Sequence, residues 1–168
     1  MTVVLPTEFQ GFLRLTAPGY IPYDYYLGGP LLYNVVASQP FLLLSQSSLV
    51  EFMLALGADP LQMAGLGMLT VQVLDCHGDP APGVELRWLD QNQFSDTRSV
   101  QRWSNRAYIP VLNQPTDEDG RTGFIGLPIG NLRFEAVVNG RTFGSRAFAV
   151  RPDRLTTGTI RVDYGVGL

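Results

Sequence analysis

The chain has 168 residues, 45% of them apolar and 16% charged, with a net charge of −3; that balance suits one folded domain with an extension, or two very small domains, and favours a folded core over disorder. Its twelve cationic side chains are all arginine and do not bunch, so there is no basic stripe for nucleic acid and no lysine for a Schiff base, a Ser-Lys dyad or a phosphate-binding loop. The single cysteine, Cys76, excludes an intrachain disulfide, no apolar run reaches the length of about eighteen residues that a membrane-spanning helix needs, and MTVVLPTEFQ lacks the basic start and long apolar stretch of a secretory signal.

Eighteen glycines and twelve prolines are scattered along the chain, which is the punctuation of many short strands. Phe9, Phe12 and Leu15 alternate imperfectly around Gly11 and predict a strand over 9–15. The segment TAPGYIPYDYYLGGP reads as turn-rich. Its tyrosines Tyr20, Tyr23, Tyr25 and Tyr26 either cover a sheet face or form an exposed contact surface. Residues 45–57 predict the one helix, about 48–57. Ser48 followed by Glu51 makes a capping box, and Leu49, Phe52, Met53 and Leu56 form one apolar stripe. Gly57 supplies a left-handed cap and Pro60 prevents resumption. Three turns are not stable alone, so this helix must lie on a larger body.

From Met68 onward the period changes to two. Leu69, Val71 and Val73 share a face in MLTVQVLD, and Val84, Leu86 and Trp88 share one in VELRWLD. The Gly/Pro cluster between them predicts a hairpin or an inter-sheet corner. Residues 90–116 form a long polar connection of the kind that is usually functional or mobile, with a short strand possible at 107–112. Strands follow in RTGFIGLP, in NLRFEAVV with Leu132, Phe134, Ala136 and Val138 on one face, in RTFGSRAFAV and in LTTGTIRVDY. Asn139-Gly140 is the strongest hairpin signal, because a type I′ turn needs positive φ at both central residues. The even spacing of turns points to a sandwich.

The order of these signals resembles a known pattern. TVQVLDCHGDPAPGVELRW is similar to the opening of carboxypeptidase-regulatory-like domains, and TDEDGRTGFIGLPIGNLRFEAVVNG to their middle; together the likeness covers about residues 68–164. LRLTAPGYIP resembles the end of such a domain, as if residues 1–30 were the tail of a preceding repeat. The resemblance implies a mainly β fold: a seven-stranded antiparallel β-sandwich, transthyretin-like or Ig-like, at 68–168. An N-terminal arm at 1–67 would carry one short α-helix. It further implies a bacterial extracellular or cell-envelope setting and an accessory rather than catalytic role.

Catalytic and metal chemistry finds little purchase. His77, the one histidine, sits in a turn next to Cys76, where adjacent side chains face opposite ways. One histidine cannot build the two-histidine, two-tyrosine iron site of dioxygenases that resemble this fold, and zero lysine excludes a Lys–Asn isopeptide bond. Zinc lacks ligands. Asp117, Glu118 and Asp119 before Gly120 echo the start of a calcium loop but lack its closing acid, so they read as a tight turn. Asp90, Asp96 and these acids offer no selected pair for glycoside hydrolysis. The expectation is therefore no enzyme, no cofactor and no metal.

The best functional candidate is the long connection, where Phe94, Trp103 and Tyr108 lie among Arg98, Arg102 and Arg106, a composition suited to binding hot spots. The arginines would line a helical face or grip an acidic partner, or Trp103 simply anchors the connection to the sandwich. Candidate partner-binding residues are thus Tyr23, Tyr25, Tyr26, Arg98, Arg102, Trp103, Arg106 and Tyr108. The expected partner is protein, or a second copy through the arm or the sheet edges. The alternative is a carbohydrate-binding module stacking sugars on Tyr23, Tyr25, Tyr26 and Trp103.

Overall fold

The computed structural model describes residues 6, 9, 11–27, 43–89, 101–106 and 109–162, and for residues 101, 105, 106 and 109 the main chain alone. The elements in chain order are β1 Phe12–Leu15, β2 Tyr23–Tyr26, α1 Gln46–Ala55, β3 Gly67–Leu74, β4 Glu85–Trp88, β5 Gln101–Arg106, β6 Ile109–Leu112, β7 Arg121–Leu127, β8 Gly130–Val138, β9 Arg141–Val150 and β10 Leu155–Arg161. They form two sheets. One has seven strands in the order β1-β2-β10-β3-β7-β5-β6; the other has three, β4-β8-β9.

The mainly β, two-sheet architecture agrees with the alternating pattern, but the all-antiparallel seven-stranded sandwich does not hold. The larger sheet is mixed, because β10 runs parallel to both of its neighbours, β2 and β3. Alternation of side chains is the same in parallel and antiparallel strands, so nothing local distinguishes the two. Two further strands lie where turns or polar connection were expected, β2 in the tyrosine-rich segment and β5 in the 90–116 connection. The latter overturns a helical face for Arg102 and Arg106, which stand on one strand.

Leu69, Val71 and Val73 of β3, Val84, Leu86 and Trp88 of or beside β4, and Leu132, Phe134, Ala136 and Val138 of β8 meet in one core between the sheets. This is the face assignment that period two predicts. The segment between β3 and β4 is a corner between sheets, pinned by the Leu74–Pro80 bridge. The β8–β9 hairpin turns on Asn139 (φ 49°) and Gly140 (φ 78°), both in the left-handed region a type I′ turn demands.

A second core lies on the outer face of the larger sheet. Met53, Leu56, Ala58 and Met63 pack there with Ile21, Met68 and Ile125, with Leu49, Phe52 and Trp103 partly buried beside them. The apolar stripe of α1 thus finds its body. Because β7 is covered on both faces, Thr122 to Leu127 is buried at every position, as parallel or sandwiched interior strands are. Burying Met53 and Leu56 contributes about 2 kcal/mol each. Met53→Ala should therefore lower stability by about 2–3 kcal/mol, measured by urea denaturation.

The helix cap differs from expectation. Ser45, not Ser48, is the N-cap, accepting from the Ser48 backbone N–H at 3.1 Å. Ser45 is held extended by its bridge to Tyr20, and Gln46 N–H donates to Gly19 O at 3.2 Å, so the cap lies three residues earlier and Glu51 falls mid-helix. The C-terminus is as expected. Gly57 (φ 71°) donates to Leu54 O at 2.9 Å and Ala58 to Met53 O at 2.9 Å, the two bonds of a Schellman end.

Candidate functional site

The hairpin β1–β2 presents Phe12, Arg14, Asp24 and Tyr26 on its inner face, since residues two apart share a side and Arg14 pairs with Asp24, Phe12 with Tyr26. Tyr26 stands edge-on to Phe148 (centroids 5.9 Å apart) and stacks on Phe12 at 5.2 Å. That fit needs Gly158 on β10, where an added Cβ would lie 2.5 Å from Phe148 Cε1 and 3.2 Å from Tyr26 Cβ. Gly158→Ala should accordingly cost about 1–3 kcal/mol by overpacking, read as a fall in the thermal midpoint.

Asp24 is wholly buried. Arg14 Nε donates to its Oδ1 at 2.7 Å and Arg14 Nη2 to its Oδ2 at 3.0 Å, while Arg151 Nη1 donates to Oδ2 at 2.8 Å. Arg14 belongs to the hairpin and Arg151 to the body, just beyond β9, so one carboxylate ties the two together. Burial opposes ionisation of Asp24, but the hydrogen bonds and charges of Arg14 and Arg151 outweigh it and hold the carboxyl below its ordinary range. The Arg151 guanidinium also lies over the Phe12 ring, 4.3 Å from its centroid.

Arg146 of β9 is a third anchor. It donates to Thr159 O at 2.9 Å and to Leu27 O, and rests over Phe148. Burial pulls its pKa down from the usual arginine value without discharging it. The main chain adds Leu155 N–H to Pro22 O at 3.1 Å and a ladder of three register pairs between β2 and β10.

On the opposite side of the two sheets, the described residues leave a gap between β4 and β5. A depression of about 380 Å³ is lined there by Glu85, Leu86, Arg87, Trp88, Arg102, Asn113 and Phe124. Arg102 spans it, donating to Glu85, to Leu86 O at 3.2 Å and to Asn113 O at 3.2 Å. Arg87 and then Arg102 hold the Glu85 carboxyl below its usual range, against the pull of burial.

Of the residues singled out from sequence, Tyr26 faces the inter-sheet core, whereas Tyr23 and Tyr25 stand half-buried on the other face of β2. Burial raises the Tyr23 pKa, and a hydrogen bond with Thr157 opposes it. Trp103 lies over Gly123, where an added Cβ would be 2.7 Å from the indole, and meets Phe52 edge-on at 4.8 Å. Arg102 links β4 to Asn113 as described. Arg98 and Tyr108 lie outside the described residues, as does the side chain of Arg106. Asp24, Arg14, Arg146 and Arg151 escaped the sequence reading. The one available signal was an acid within the run YDYY at the inward phase of Tyr26.

The turn Asp75–Cys76–His77 is tighter than simple alternation implies. Cys76 Sγ lies 3.4 Å from His77 Nδ1, which is 3.7 Å from Asp75 Oδ2. Asp75 Oδ1 accepts from the backbone N–H of His77 at 2.8 Å and of Asp79 at 3.0 Å, an Asx turn that folds the three side chains together. Cys76 and His77 are both exposed. Cys76 should therefore react fully with iodoacetamide in the native state, and Cys76→Ser should shift stability by less than about 0.5 kcal/mol. The acidic turn closes in the same way, with Asp117 Oδ1 accepting from Asp119 and Arg121 N–H. There Gly120 (φ 68°) is packed so close that a Cβ would meet Val73 O at 2.4 Å.

No protein-family model and no curated protein matches the chain. Among solved structures it is similar in part to the Bacillus anthracis TIE protein, at 14% identity and a TM-score of 0.39, over 59% of this chain and 16% of that one. It is also similar in part to the shaft pilin SpaA of Lactobacillus rhamnosus GG, at 12% identity and a TM-score of 0.35, over 61% of this chain and 47% of that one. The chain thus spans less than half the length of either. Among the described residues no helix is long and apolar enough to cross a membrane.

Proposed function

We propose that the chain is a non-catalytic structural or protein-interaction module of a bacterial extracellular or cell-envelope protein, with a transthyretin-like, carboxypeptidase-regulatory-like sandwich at 68–168 and an arm at 1–67. In this reading it associates with protein, including copies of itself, through the arm and the sheet edges. The observation that supports it best is the way the arm is attached. The β1–β2 hairpin adds itself to β10 as two extra strands, so strand addition is already the means by which this body takes up a separate piece of chain. The described edges β1, β4 and β6 have four residues each, short enough to limit indiscriminate pairing, whereas the edge β9 has ten and offers a partner strand the longest ladder. The carbohydrate alternative is less well supported, because Trp103 is packed under α1 and Tyr26 inside the sandwich.

Sedimentation velocity of the full chain from micromolar to sub-millimolar concentration tests this reading. The expected result is a weight-average mass that rises above the monomer with concentration. A mass that stays monomeric throughout would overturn self-association. Retention on immobilised polysaccharide that Tyr23→Ala and Tyr25→Ala abolish would favour the sugar-binding alternative.

A further inference from the structure

The two sheets end out of step beside the arm. The smaller one stops at β9, which lies over β10: an added Cβ on Gly144 would stand 2.4 Å from Arg161 O, and one on Gly158 would stand 2.5 Å from the Phe148 ring. The larger sheet continues past β10 with β2 and β1. Among the described residues no strand of the smaller sheet lies opposite those two. Adjacent strands are about 4.8 Å apart and stacked sheets about 10 Å, so a strand added along β9 would cover the inner face of the hairpin and complete the sandwich there.

The edge of β9 is long and unguarded. It has ten residues, and among the described residues only β8 pairs with it. Sheet edges are ordinarily blunted by shortness, proline or projecting charge; β6 has four residues and Pro110. From Thr142 to Val150, β9 has no proline and one charge, Arg146. That guanidinium is turned inward onto the carbonyls of Thr159 and Leu27.

The floor beneath this edge sets the chemistry of an occupant. Phe12 and Tyr26, stacked and half-buried, supply an apolar patch. Arg14 and Arg151 stand beside it, 40% and 33% exposed, with Asp24 as their shared carboxylate. Arg14 gives Asp24 two donors and Arg151 one, out of five on each guanidinium, so cationic donors remain for a second acid. A second copy's β9 does not supply it, because RTFGSRAFAV holds two arginines and no acid; pairing β9 with itself would add cations to cations.

We propose that β9 takes up an extended segment of another protein by strand addition. The segment turns an apolar side chain onto Phe12 and Tyr26 and, two positions away on the same face, a carboxylate onto Arg14 and Arg151. This rests on the protein-interaction reading above and names the edge and the chemistry of the partner.

The test titrates the nitrogen-15-labelled native chain with a blocked synthetic peptide as long as β9. The peptide alternates threonine with valine and carries one aspartate in place of a valine. Shifts and slowed exchange are expected at the β9 amides, with a Kd about tenfold higher when the aspartate becomes asparagine and higher again with lysine. An Arg14→Gln chain should discriminate less between aspartate and asparagine; unchanged discrimination overturns the proposal. No binding, equal affinity for the three peptides, or shifts confined to β1, β4 or β6 also overturn it. So does protection of every β9 amide in the chain alone, which would show the edge filled from within. If the peptides fail while the sedimenting mass still rises with concentration, the protein-interaction reading stands without this contact; if both fail, both fall.

Discussion

Asp24→Ala is expected to destabilise the protein by about 3 kcal/mol, a fall in thermal midpoint of roughly 6–12 °C for a chain of this size. The wholly buried carboxylate pairs with two arginines, one on each side of the arm junction. Its removal leaves both guanidiniums facing an emptied, desolvated seat. Their own exposure, 40% for Arg14 and 33% for Arg151, lets them turn partly to water, which keeps the loss at the lower end for a broken buried pair. Arg151→Ala should cost more in arm docking than Arg14→Ala, because of these two only Arg151 links hairpin to body. Protection of the β10 amides in hydrogen exchange would show this. Equal protection in Asp24→Ala and the native chain would show that the ion cluster does not hold the arm.

The pH dependence follows with a definite sign. The Asp24 carboxyl lies below its ordinary value in the folded protein, so the unfolded chain takes up its proton first as pH falls. The stabilisation is complete above the unfolded carboxyl's range near about 3.9 and is lost as pH falls through the lower folded value. Asp24→Asn should show a shallower acid-side decline, the remainder belonging to groups such as Glu85, while staying less stable than the native chain at neutral pH. If the two lose stability in parallel as pH falls, Asp24 is not the group responsible.

The second large effect belongs to Phe148→Ala, expected to cost about 3–5 kcal/mol. Phe148 is fully buried, packs against Phe134 at 6.2 Å and Tyr26 at 5.9 Å, and fills the space over Gly158. Loss of the ring opens a cavity shared by the inter-sheet core and the arm. Arm docking and global stability should therefore fall together, so a denaturation midpoint that drops while the β2 and β10 amides keep native protection would separate them. The smaller Phe148→Leu change should recover most of the stability but less of the arm contact, since the edge-to-face pair with Tyr26 needs a ring.

Much of this was legible along the chain, for local reasons. Alternation at Leu69-Val71-Val73 and Leu132-Phe134-Ala136-Val138 reports which side of a strand meets oil, whatever it pairs with. Asn139-Gly140 reports a turn because two consecutive positive φ angles are costly for most other residues. The stripe of α1 and its Gly57 end depend on neighbours within two turns. The N-cap was misplaced because the choice between Ser45 and Ser48 is made by Tyr20 and Gly19, far back in the chain.

The ion cluster was illegible for the same reason. Arg14, Asp24 and Arg151 are ordinary surface residues in composition, and only the meeting of β1, β2 and the end of β9 brings them together and buries Asp24. By itself the sequence determined a mainly β chain with one short amphipathic helix, the faces of its strands and the sites of its tight turns, since each depends on residues a few positions apart. The tertiary structure decided that β10 lies parallel between β2 and β3, that both faces of the larger sheet are covered, and that a charged hairpin closes one side. Strand direction, sheet order and charge burial are set by contacts between distant segments, and the two-residue period is blind to all three.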